Sequence, residues 1–296
     1  MRRRRRRLGH GALAGYAFVF PSLVGVAAFL LLPVVAVFLI SLVRWNYVAD
    51  PVFVGFNNYV RILSDPQVIN AFRVSGLYVL LVVPLQTILA LYFAVQLNKR
   101  IRGRTIFRLL FVLPWLATPV VLGIVFNWIF DPRYGALDGL LRYVGATPVN
   151  WLTDPFWALP SLALVNIWQF TGYTMILFMA GLQSIPEHLY EAASIDGAGP
   201  SRIFFSLTLP LLSPTVLFVL VTAIIGSFQV FDTVSVMTAG GPGDATRVVN
   251  FLIYQKAFQF FDAGGASALA ALLFLVIFVV TLVQFRFFRE RIVQLG

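Results

Sequence analysis

The chain has no cysteine, and among its 296 residues only two are histidine and twelve acidic. Without thiols there is neither a disulfide framework nor a thiolate-held metal site. The two histidines, His10 beside an arginine tract and His188 in a charged loop, are too isolated to build a metal cluster. No Gly-x-x-x-x-Gly-Lys-[Ser/Thr] phosphate loop, His-Glu-x-x-His zinc pair or Gly-x-Ser-x-Gly nucleophile turn occurs. No catalytic residue, cofactor or metal is therefore expected within this chain. A membrane-embedded enzyme would need a convergent nucleophile, acid–base or metal set, which is missing.

Charge is scarce as well. Hydrophobic residues make up 59% of the chain and charged ones 11%, with a mean hydropathy of +0.87. A water-soluble fold of this composition would leave far too much apolar surface exposed. Charge-free stretches run from Leu8 to Val43, Val74 to Asn98, Leu109 to Phe130, Pro155 to Pro186, Ile203 to Phe231 and Ala263 to Phe285. Each exceeds the roughly 20 residues a helix needs to cross the hydrocarbon of a bilayer. The runs lack the strict alternation of barrel strands, so helices that satisfy their own backbone are expected. The reading is an all-α membrane protein with six transmembrane helices.

The six spans are expected at about 14–43, 72–97, 106–130, 157–183, 211–236 and 264–287. All but the last contain proline, which kinks a helix and frees carbonyls. The arginine-rich start resembles a secretory signal, but the apolar run after it is much longer than a signal's apolar core, so it is read as a retained first helix. This divides the chain into a basic tail (1–13), a six-helix transmembrane domain (14–288) that includes a long loop at 184–210, and a short tail (289–296).

The net charge of +10 has a placement that speaks against nucleic acid. With the N-terminus inside, Arg2 to Arg7, Lys99, Arg100, Arg102, Arg104, Arg108, Arg202, Arg286, Arg289 and Arg291 all fall on the cytoplasmic side, most of the 22 basic residues. That is the positive-inside asymmetry, with both termini cytoplasmic and the charge available to anionic lipid. The external loops carry Trp45, Tyr47, Phe53, Tyr59, Tyr134, Trp151, Phe156 and Trp157, as an interfacial aromatic belt would.

The 184–210 loop is unlike the rest. It reads Glu187-His-Leu-Tyr-Glu-Ala-Ala-Ser-Ile-Asp-Gly-Ala-Gly-Pro200 before Ser201 to Pro210. Pro186 can open a short helix whose Ala192, Ala193 and Ile195 form a small, flat surface. Gly197 to Pro200 then break it, and Phe204, Phe205, Leu207 and Leu209 lie on a second element. Apolar residues in a charged loop between spans need a protein groove.

At these residues the chain resembles the permease subunits of binding-protein-dependent ATP-binding-cassette importers, in the carbohydrate-uptake branch that includes maltose and glycerol-3-phosphate permeases. The matching residues are Glu191-Ala192-Ala193, Asp196-Gly197-Ala198 and Leu207-Thr208-Leu209-Pro210, with Leu207 where isoleucine is commoner. Phe228 to Val234, Met237 to Thr246 and Phe53 to Tyr59 resemble the same branch. The resemblance implies the type I importer permease (MetI-like) fold in a bacterial plasma (inner) membrane. It implies a second homologous permease, two cytoplasmic subunits that bind ATP and Mg, and an extracytoplasmic solute-binding protein as partners. It also implies that the Glu191 loop is the coupling helix, with Glu191, Ala192, Ala193, Asp196, Gly197, Ala198, Leu209 and Pro210 docking in the ATPase.

For the solute path, polar residues inside spans are informative, because burying them against lipid costs several kcal/mol. Asn166, Gln169 and Tyr173 recur at i, i+3 and i+7 in the fourth span, and Ser227, Gln229 and Asp232 lie late in the fifth. Interhelical hydrogen bonding is the plainer role for such residues, and Asp232 can instead cap a helix or face the partner permease. Neutral hydrogen-bonding groups beside aromatic rings suit a sugar or related polyol. Glycerol 3-phosphate or a glycerophosphodiester is the alternative, although no basic residue falls in the proposed lining. An ion-coupled secondary transporter is a remoter alternative, because the spans hold almost no ionisable residue.

Overall fold

Each charge-free run becomes helix, because in lipid only intrahelical bonds can satisfy the backbone. The computed structural model describes residues 9–99 and 102–289. Arg2 to Arg7, Arg100 and Arg291, and residues 290–296 as a whole, lie outside the described residues.

The first span is α1 (Gly9–Val26) and α2 (Leu32–Ile40), joined by a π turn at Ala27–Leu31. The turn sits just before Pro33, which has no N–H for the regular bond four residues back. Helix therefore begins inside the stretch expected as a tail. None of the most apolar window of Gly15–Ile40 is buried. A short antiparallel ribbon follows, β1 (Val43–Arg44) and β2 (Val52–Phe53), with Val43 opposite Phe53. Then come α3 (Asn57–Leu63) and α4 (Pro66–Asn98). Asp65 caps α4 by accepting from the Gln67 N–H at 2.9 Å, with Pro66 in the first turn, where no N–H is needed.

The third span differs from the continuous helix expected at 106–130. It is α5 (Arg104–Leu116) and α6 (Pro119–Ile129), bent by 98°. Pro119 forces Thr118 into extended backbone (φ −66°, ψ 137°), and Ala117 is extended too, so the chain turns before helix resumes. Short α7 (Ala136–Tyr143) leads to α8 (Ala158–Gln183), the most buried span. Beyond it lie α9 (Glu187–Ile195), α10 (Pro200–Ile203), a π turn at Phe204–Thr208 and α11 (Leu209–Leu211). The fifth span is α12 (Ser213–Phe228) continued by α13 (Asp232–Met237). Next are α14 (Val249–Tyr254), a π turn at Gln255–Gln259, and α15 (Ala263–Arg289). Five segments are long and apolar enough to cross a membrane, and the bent pair α5–α6 makes a sixth crossing when taken as one.

Two core clusters establish the direction of the helices. Tyr78, Leu162, Val165 and Val234 pack together at one end of the bundle, and Ala94, Leu97, Phe178, Leu182 and Leu212 at the other. Thus α4 and α8 run parallel, both from that first end to the second, and the turn after Asn98 shares an end with the α9–α11 hairpin. The ribbon, α7, α13 and α14 occupy the opposite end. Contact between α5 and α8 is backbone to backbone at Gly172, where an added Cβ would lie 1.7 Å from the Phe111 carbonyl oxygen. The ribbon is pinned by buried Asn58, whose amide donates to the carbonyls of Ser41 (2.9 Å) and Val43 (2.8 Å).

Candidate functional site

The hairpin between α8 and α12 is built from its caps. Helix α9 ends at Asp196, and Gly197 adopts φ +74°, the left-handed conformation that glycine enters at no steric cost. The Gly197 N–H then donates to the Ser194 carbonyl at 3.1 Å and the Ala198 N–H to the Ala193 carbonyl at 3.0 Å. This pair of bonds is a Schellman cap, which explains why Asp-Gly-Ala follows Glu-Ala-Ala at this spacing. The hairpin closes where the Thr208 hydroxyl donates to the Tyr190 phenol at 3.3 Å. Leu209 and Pro210, in α11, are half-buried.

What the hairpin leaves uncovered matters as much. No residue of α9 is buried, and Glu191 and Ala192 are exposed. Ile195 is 86% exposed and Phe205 66%, so the hairpin that carries Glu191 also presents large apolar groups. Glu191 has no ion-pair partner among the described residues. At the same end Arg108 donates to the Leu97 carbonyl at 2.8 Å and Lys99 to the Gln96 side chain at 3.1 Å, placing cations on the last turn of α4.

Inside the bundle, a cavity of about 140 Å³ opens between α4, α8 and α12. Asn166, Tyr173 and Thr174 come from α8, Gln86 from α4, and Thr222 and Ser227 from α12. No charged side chain lines it. Among the described residues, the side chains of Asn166 and Ser227 make no hydrogen bond, whereas Gln86 donates to the Thr174 hydroxyl at 2.8 Å and fastens the wall. Tyr173 stacks on Trp115, with ring centroids 4.8 Å apart and planes 17° from parallel.

Three of the six residues read as path candidates, Asn166, Tyr173 and Ser227, thus meet at one cavity, and three stand elsewhere. Gln169 is buried and donates its amide to the Ala117 carbonyl at 3.2 Å, serving a backbone group freed where α5 breaks from α6. Gln229 has an exposed side chain, while its carbonyl accepts from Asn250 at 2.7 Å. Asp232 is exposed in the first turn of α13. Positions i and i+7 nearly superpose around a helix whereas i+3 is rotated by about 60° from the first and about 40° from the second, which separates Gln169 from Asn166 and Tyr173. Gln86 and Trp115 were missed, although the rule that singled out Asn166, a polar side chain in an apolar span, applies equally to Gln86.

The three ion pairs among the described residues all lie at the end opposite the hairpin. They join Arg61 to Asp262 (2.8 Å), Arg247 to Asp244 (3.0 Å) and Lys256 to Asp65 (3.0 Å). Burial opposes ionisation of Asp65, but the Lys256 ammonium and the Gln67 N–H outweigh it and hold the carboxyl below its usual range. No cluster of three or more metal-ligating side chains occurs among the described residues.

The sequence matches, over residues 86–294, the family described as binding-protein-dependent transport system inner membrane component. It is 36% identical over 281 residues to the trehalose/maltose transport system permease protein MalF of Thermococcus litoralis, covering 95% of each chain. It is 32% identical over 279 residues to the sn-glycerol-3-phosphate transport system permease protein UgpA of Yersinia pestis, covering 94% of each. Among solved structures, a chain of a bacterial alginate ABC transporter, in complex with its alginate pentasaccharide-bound periplasmic protein, superposes with a TM-score of 0.80 at 25% identity, covering 94% of each chain.

Proposed function

We propose, starting from the fact that this chain belongs to the family of binding-protein-dependent transport system inner membrane components, that it forms half of the pathway by which an ATP-driven importer admits a sugar or related polyol. As a permease it hydrolyses nothing itself, and ATPase activity resides in separate subunits. The other half of the path comes from a second homologous permease, two cytoplasmic ATP-binding subunits supply force, and an extracytoplasmic protein delivers the solute. The relatives' names, covering trehalose and maltose, alginate and glycerol 3-phosphate, support a polyhydroxylated cargo. A cavity of about 140 Å³ is below the roughly 300–1,000 Å³ of a complete ligand pocket, as suits a site finished by a partner. With the hairpin inside, the basic turn at 99–108 and both termini are cytoplasmic, and the paired cations stand outside.

The observation that supports coupling is the hairpin itself: Glu191 and Ile195 are exposed on a capped helix, and Phe205 is exposed on the turn that follows. A capped short helix passes on a rigid-body displacement, and Glu191 is free to pair with a basic group of the ATPase. When the wild-type chain is reconstituted with its partner subunits, the ATPase subunits should hydrolyse ATP faster on addition of solute-loaded binding protein. Glu191→Ala should lose that stimulation while the complex still assembles, and undiminished stimulation would refute the coupling role. An organophosphate polyol is the second reading, favoured by the glycerol-3-phosphate relative and opposed by a cavity without a cation.

A further inference from the structure

At the end opposite the hairpin, the segment after α6, the loop before α8 and the end of α13 enclose a larger cavity, of about 390 Å³. Its wall presents the rings of Phe130 and Trp151 together with Asn127, Asp131, Thr153 and Thr238, and no lysine or arginine. Trp151 is held from behind. Its indole N–H donates to the fully buried carboxylate of Asp138 at 3.3 Å, and its ring meets Phe130 at 5.9 Å. The same Asp138 oxygen accepts from the Val149 N–H at 3.0 Å, which fastens the loop carrying Trp151 and Thr153.

The polar atoms left free at this wall are mostly acceptors. Asp131 Oδ1 accepts from the N–H groups of Arg133 (2.8 Å) and Tyr134 (2.9 Å), which leaves Oδ2 unengaged. Those N–H groups, Tyr134 foremost, hold the Asp131 carboxyl below its usual range, so it is anionic at neutral pH. Asn127 donates its amide to the Val236 carbonyl at 3.1 Å, leaving its own oxygen open. The Thr153 hydroxyl has no partner among the described residues, while Thr238 is engaged with Thr246 at 2.7 Å.

We propose that this outer cavity is a receiving subsite for a neutral saccharide, occupied before the solute reaches Asn166, Tyr173 and Ser227. Sugar hydroxyls donate to the free oxygens of Asp131 and Asn127, and a C–H face of the ring lies against the fixed Trp151. An ionised carboxylate repels a phosphate, so the subsite discriminates against glycerol 3-phosphate before the inner cavity is reached. This deepens the importer reading and rests on it.

The test uses the transporter assembled without its binding protein in nanodiscs, and saturation-transfer NMR with maltose, trehalose, short oligosaccharides and glycerol 3-phosphate. Asp131→Asn removes the charge but keeps an oxygen for the Arg133–Tyr134 turn, and Thr153→Val removes only an exposed hydroxyl. At least one neutral saccharide should give a signal and glycerol 3-phosphate none. Both variants should weaken saccharide binding about three- to tenfold, whereas Asn166→Leu should leave the outer signal in place. No saccharide signal in the wild type, an equal signal from glycerol 3-phosphate, or loss of signal in Asn166→Leu but not in the outer variants would overturn the subsite. So would a cross-link from Thr153→Cys, the sole thiol in such a chain, into the binding protein, because a protein segment would then fill the cavity. Loaded binding protein that fails to stimulate ATP hydrolysis by the wild type would instead sink the importer reading.

Discussion

Gly172 and Gly197 are both held by backbone geometry, for different reasons, and mutation separates them. At Gly172 the obstacle is steric: a Cβ meets the Phe111 carbonyl at 1.7 Å. Gly172→Ala should force α5 off α8 and cost about 1–3 kcal/mol, as overpacking does, visible as a lower melting temperature in detergent. Gly76→Ala, where a Cβ meets nothing within 4 Å, should be neutral or stabilising by up to about 1 kcal/mol. At Gly197 there is equally open space, but φ is +74°, so alanine should cost roughly 1–2 kcal/mol. That loss should appear as faster amide exchange at Ala198, with Gly197→Asn intermediate. The motif glycine could be picked out from the sequence because its cap is local. The role of Gly172 could not, because Phe111 reaches it only through tertiary packing.

The break between α5 and α6 shows how an element depends on a distant side chain. A continuous third span was the natural expectation from an uninterrupted apolar run, and prolines mark a disturbance without giving its angle. At the 98° turn before Pro119, Gln169, on α8, serves the Ala117 carbonyl. Gln169→Leu should therefore lower thermal stability by about 1 kcal/mol, the usual worth of a hydrogen bond within a membrane bundle, while the solute concentration for half-maximal transport stays unchanged. Asn166→Leu should do the reverse, because that amide makes no bond within the described residues. If both variants moved the same measurement, the division between a supporting and a path-lining residue on α8 would fail. Spacing of i, i+3 and i+7 narrows a face but does not resolve which neighbour each residue meets.

Over the whole molecule, charge is sorted between two ends. Among the described residues, the paired cations stand opposite the hairpin, and Lys99 and Arg108 beside it have neutral partners. Single cysteines introduced into this thiol-free chain test the arrangement: Ser194→Cys should react with an impermeant maleimide only after cells are opened, and Thr153→Cys in intact cells. Asp65 adds a pH dependence. Its carboxyl is lowered from 3.8 in the fold, so its stabilising contribution is full above that value and is lost as pH falls through the folded pKa. Melting temperature should drop below about pH 4, and Asp65→Asn should lessen the drop. By itself the sequence determined the helical membrane class, the number of crossings, the family and the hairpin cap, all of which depend on hydropathy along the chain or on neighbouring residues. Only the tertiary structure decided that Asn166, Tyr173 and Ser227 share a cavity while Gln169 holds a broken helix, because lateral packing in a bundle is set by close contacts between segments far apart in the chain.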